Sequence, residues 1–71
     1  MIMEELDCLG LKCPRPIIEL ARRIDTLADG DQILIMADDP AAGPDLVAWC
    51  RMRGHELVSS DPPRFVIMKR S

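Results

Sequence analysis

Of the three cysteines in this 71-residue sequence, Cys13 has the setting best suited to chemistry, within Leu11-Lys12-Cys13-Pro14-Arg15-Pro16, where a loop becomes a helix. A residue before proline is pushed out of the α region, and proline is favoured at the first helical position. The sequence therefore predicts Cys13 as the N-cap and Pro14 as the first helical residue. Pro16 then falls inside the first turn, where no intrahelical donor is lost. A sulfur at that cap lies near the positive end of the helix dipole. It would face the free amides of Arg15 and Ile17 and be flanked by the cations Lys12 and Arg15. Together these predict a thiol more acidic than free cysteine, and hence a thiolate that is nucleophilic at neutral pH. Ser, Asp or Asn would cap the helix better, which argues against a purely structural cysteine.

The rest of the sequence offers this thiol no catalytic partner. His55, the only histidine, follows Gly54 at a helix exit, and no Cys-His or Ser-His-Asp grouping can be assembled around it. Cys8, Cys13 and Cys50 contain no Cys-x-x-Cys pair, so neither a tetrahedral metal site nor a thioredoxin-type dithiol is expected, and no cofactor is implied. What remains is a lone, electropositively placed sulfur able to attack another sulfur and hold it.

Composition narrows the function classes further. Nine Lys and Arg against twelve Asp and Glu give a net charge of −3, which disfavours direct binding to nucleic-acid phosphates. The two aromatic residues, Trp49 and Phe65, are too few for a base-stacking platform. No apolar run is longer than Ile33 to Ala37, far short of the ~20 residues of a membrane span. Met1 to Glu5 is acidic and does not read as a signal peptide, so a cytoplasmic chain is expected, in which disulfides would not hold the fold together.

The elements that must position Cys13 can be read from the punctuation. Proline and glycine separate six periodic segments in one domain, residues 1–71. Met3 to about Cys8 reads as a short, acid-protected edge strand. Pro14 to Ala28 repeats apolar residues at three- and four-residue spacings, as an amphipathic helix does. Gln32 to Ala37 is a near-continuous apolar strand, and about Ala41 or Pro44 to Arg53 a second helix with Leu46, Val47 and Cys50 on one face. His55 to Ser60 and Arg64 to Lys69 are strands joined across the Asp61-Pro62-Pro63 turn.

The order is thus β-α-β-α-β-β, an α/β two-layer sandwich. The two most apolar strands belong in the middle of a mixed four-stranded sheet of order 1-2-4-3. Two helices cover only one face. Either Ile33 and Ile35 or Leu34 and Met36 must therefore sit partly exposed on the other, leaving an apolar patch for a partner.

Beyond Cys-Pro-x-Pro, the sequence carries Leu6-Asp7-x-x-Gly10-Leu11 before the motif and Gly30, Asp38-Asp39-Pro40, Asp45, Trp49-Cys50 and Gly54-His55-Glu56-Leu57 after it. In these residues, and over nearly the whole chain, it resembles the TusA/SirA-like small sulfur carriers. The resemblance implies a two-layer α/β sandwich. It also implies that Cys13 carries a sulfane sulfur as a persulfide, accepted from a donor such as a cysteine desulfurase or rhodanese and passed to a thiol-bearing acceptor protein. Members serve tRNA thiolation, molybdenum-cofactor sulfur supply or sulfur oxidation, and the motif does not separate these uses. Cys8 and the Asp61-Pro62-Pro63 turn depart from the common pattern, and Cys8 raises the question of a disulfide with Cys13.

The remaining polar residues read as structural: Asp38 and Asp39 start a turn, His55 starts a strand, Cys50 is a core thiol, and Glu19 pairs with Arg23 across a helical turn. A second reading from a different class is a regulatory or adaptor domain that binds a partner through the open sheet face, with Cys13 as a redox sensor.

Overall fold

A computed structural model describes residues 3–70; Met1, Ile2 and Ser71, which the N-terminal reading and the domain bounds included, lie outside the described residues. The elements are β1 (Met3–Asp7), α1 (Arg15–Ile24), β2 (Gln32–Met36), α2 (Ala42–Arg53), β3 (Glu56–Asp61) and β4 (Arg64–Met68), in the order read from the sequence. The sheet runs β1-β2-β4-β3, with β1 parallel to β2 and both β2 and β3 antiparallel to β4. The order follows from burial. The two continuous apolar runs take the centre, while acid-bearing β1 and polar β3 take the edges.

Alternation along the central strands decides which face is covered. Ile33 and Ile35 of β2 and Ile67 of β4 are fully buried beneath the helices, with Phe65 almost so, whereas Leu34, Met36, Val66 and Met68 are half-buried on the open face. Leu20 and Ile24 of α1 and Leu46 of α2 close the core from above. Burying such side chains is worth about 1.5–3 kcal/mol each, the main source of stability in a chain this small.

Four expectations about the elements and their contacts are corrected. Helix α1 ends at Ile24 rather than near Ala28: Asp25 caps it, and Thr26 and Leu27 fold into tight turns through bonds to the carbonyls of Arg23 and Ile24. On α2 the buried face is Ala42, Leu46, Trp49 and Cys50, whereas Val47 is exposed, because the large Trp49 side chain takes the inner face. Arg23 pairs with Glu4 of β1 at 3.7 Å rather than with Glu19, reaching across to the acidic edge strand. The fourth concerns the cap of α1, described with the site below.

Helix α2 stops at Gly54, whose φ of +77° is the left-handed conformation that costs glycine least. Among the described residues no helix is long and apolar enough to cross a membrane.

Candidate functional site

Strands β1 and β2 are parallel, so their following loops emerge at the same end of the sheet and meet there. After β1 the chain turns at Gly10, whose φ is +81° and whose N–H donates to Oδ1 of Asp38 at 3.0 Å. Two further bonds link neighbouring segments. The N–H of Cys8 donates to the carbonyl of Met36 at 2.8 Å, and that of Ala37 to the carbonyl of Pro63 at 2.9 Å, drawing the β3–β4 turn to the same end. A cleft of about 390 Å³ opens there, lined by Pro40, Pro44, Pro62, Pro63 and Phe65 with Asp39 on its wall.

Cys13 lies at this end, half-buried. Its backbone N–H donates to Oδ2 of Asp39 at 3.2 Å, and its Sγ–H donates to Oδ2 of Asp45, a residue of the first turn of α2. The other Asp39 oxygen accepts the N–H of Ala41 at 2.8 Å. These two N–H donors hold the Asp39 carboxyl below the usual carboxylate range, helped by the charge of Lys12. Asp39 thus forms the turn into α2, and Asp38 and Asp39 both tie the β2–α2 loop to the cysteine loop.

The predicted cap is displaced by one residue. Pro14 is the N-cap of α1, Arg15 and Pro16 open the helix, and Cys13 precedes the cap. The amide of Arg15 is engaged by the carbonyl of Lys12 at 2.8 Å, so it does not face the sulfur. Lys12, Pro14 and Arg15 are exposed, Pro16 is buried, and Ile17 is half-buried against the core, where it positions the helix rather than the thiolate.

The expected acidic thiol is therefore also corrected. The hydrogen bond to Asp45, then partial burial, then the negative charges of Asp45 and Asp39, push the Cys13 thiol up to about 11. A carboxylate accepting the thiol proton favours the protonated form. At rest Cys13 is a held thiol. The residue that sequence reasoning missed is Asp45, quoted only within the resemblance. Its offset of 32 positions from Cys13 carries no local signal; only its place in the first turn of α2, beside the β2–α2 loop, could have suggested it.

The other two thiols are structural. Cys8 and Cys50 are free and buried, at 1% and 3% exposure, and burial raises both, Cys50 to about 11. Cys8 sits in the core and is free, so it forms no disulfide with Cys13. His55, read as the first residue of a strand, lies one residue before β3, its ring 5.3 Å from that of Trp49 and its Nδ1 accepting the N–H of Arg70 at 3.0 Å.

Comparison with known protein families matches residues 4–69 to the family described as Sulfurtransferase TusA. The match spans both site loops and all of the elements except Met3 at the start of β1, placing the one half-exposed thiol within a sulfur-transfer family. On that match the chain belongs to the TusA sulfurtransferase family.

Proposed function

We propose that residues 1–71 act as one domain that holds a sulfane sulfur as a persulfide on Cys13. The sulfur is relayed from a donor protein, such as a cysteine desulfurase or rhodanese, to a thiol-bearing acceptor protein in the cytoplasm. The observation that carries this reading is selective accessibility: of three cysteines, Cys13 alone is reachable from solvent, and it stands where two loops meet above the sheet.

In loading, the Cys13 proton is released and Sγ attacks the terminal sulfur of the donor's persulfide. The donor S–S bond breaks, both electrons go to the donor cysteine, and the released proton neutralises it. One S–S bond is exchanged for another, with no net oxidation. Delivery repeats the step with the acceptor thiol attacking the sulfur on Cys13. Within this scheme Cys13 is the catalytic residue, and Lys12, Pro14, Arg15, Pro16 and Ile17 shape the loop and helix start that present it.

Incubation with a cysteine desulfurase and cysteine, followed by intact mass measurement, tests the proposal. A gain of one sulfur, removed by a reducing thiol, is expected. A chain that stays unmodified while the desulfurase turns over contradicts it.

A further inference from the structure

Cys13 is met by two carboxylates with different tasks. Asp39 spends both oxygens on backbone amides, those of Cys13 and Ala41. Asp45 directs Oδ2 at the sulfur itself. Among the described residues the two ion pairs are Arg23 with Glu4 and Arg70 with Glu56, so no side-chain cation within ion-pair distance neutralises Asp45. Lys12 and Arg15, the cations flanking Cys13 in sequence, are both exposed.

We propose that Asp45 biases Cys13 toward giving sulfur rather than keeping it: its carboxylate holds the unloaded thiol by a hydrogen bond and opposes the anionic persulfide that loading creates beside it. This rests on the carrier reading above and goes beyond it by naming the residue that sets the balance. A persulfide is a stronger acid than the thiol it replaces, so at neutral pH loading exchanges a neutral hydrogen-bond donor for an anion next to a carboxylate. The first state gains from Asp45 and the second loses to it. Both effects push the equilibrium Cys13–SH + RS–S⁻ ⇌ Cys13–S–S⁻ + RSH toward the left, which is the direction of delivery. In it the sulfane sulfur changes thiols and the proton moves from Cys13 to RSH, so atoms and electrons balance. Asp45 acts here as a positioning residue; the sulfur chemistry stays with Cys13.

The test compares the unsubstituted chain with Asp45→Asn, which keeps the shape and removes the charge, and with Asp61→Asn, which changes the net charge equally at the exposed end of β3. Two readouts are taken: the pH midpoint of Cys13 alkylation, and the loaded fraction at equilibrium with glutathione persulfide and glutathione. For Asp45→Asn the midpoint should fall from about 11 by roughly one unit or more, and the loading constant should rise roughly threefold or more, one pKa unit being a factor of ten. Asp61→Asn should move neither. Asp45→Glu should restore part of the raised midpoint, and Asp45→Ser replaces Asp45→Asn should the latter lose its far-ultraviolet circular dichroism. An unmoved midpoint and loading constant in Asp45→Asn, or equal shifts in Asp61→Asn, overturn the assignment. If the unsubstituted chain takes no sulfur from any donor, the carrier reading itself falls. An unmoved midpoint in a chain that does load removes Asp45 alone.

Discussion

Oδ2 of Asp39 accepts the backbone N–H of Cys13 at 3.2 Å across 26 positions of sequence, fastening the cysteine loop to the segment that starts α2. The same carboxylate holds Ala41, so one side chain fixes the spacing between the thiol's backbone and the helix that carries Asp45.

Replacing Asp39 by Ala should therefore loosen both loops together. The amides of Cys13 and Ala41 should lose hydrogen-exchange protection while core amides of β2 keep theirs. The protection in the unsubstituted chain is itself pH-dependent. The folded Asp39 carboxyl titrates below its unfolded value, so its contribution is present above about pH 4 and is lost as pH falls through the lowered folded value. Equal protection in the two chains would mean that the loops are held by other bonds.

Cys8 and Cys50 should resist alkylation in the native chain and react only in denaturant, whereas Cys13 reacts in both. The same burial should keep Cys8 from resolving a persulfide. Intact mass of the loaded protein should show persulfide loss without a Cys8–Cys13 disulfide, and Cys8→Ala should not slow that loss. Steady appearance of the disulfide would make Cys8 a resolving thiol.

Much of the fold was legible because it depends on where apolar residues cluster. Ile33 to Ala37 and Phe65 to Met68 are continuous apolar runs whose strands take the central places, and Cys-Pro-x-Pro marks the start of α1 within one residue. The state of the thiol was not legible. Lys12 and Arg15 are neighbours in sequence and suggested activation, but the charge nearest the sulfur belongs to Asp45, brought in only by the parallel pairing of β1 and β2. Val47 was misplaced for a related reason: the apolar spacing in α2 admits two faces, and it is the bulk of Trp49, packed beside His55, that takes the inner one.

His55 should make stability depend on pH near neutrality. Burial, together with the charges of Arg53 and Lys69, lowers its folded pKa below the ordinary value. The unfolded chain then binds the proton first as pH falls. Stability is full above about 6.5 and declines as pH drops from there through the lowered folded value. Denaturant unfolding at about pH 7 and pH 5 should show this decline, and His55→Gln should flatten it. An identical slope in the variant would assign the dependence to the carboxylates.

Leu20 of α1 is fully buried against the sheet, and Leu20→Ala should cost about 2–5 kcal/mol in chemical denaturation, a large share of the roughly 5–15 kcal/mol typical of a folded domain. A loss under about 1 kcal/mol would mean that α1 packs less tightly than its burial indicates.

The central claim is that transferable sulfur rides on Cys13, and peptide mapping of the sulfur-loaded chain tests it most directly. After incubation with a cysteine desulfurase and cysteine, the unsubstituted chain and Cys50→Ser should each carry one added sulfur on the peptide containing Cys13, and Cys13→Ser should carry none while remaining folded. Sulfur on the Cys8 or Cys50 peptide, or loading that survives Cys13→Ser, would contradict the account.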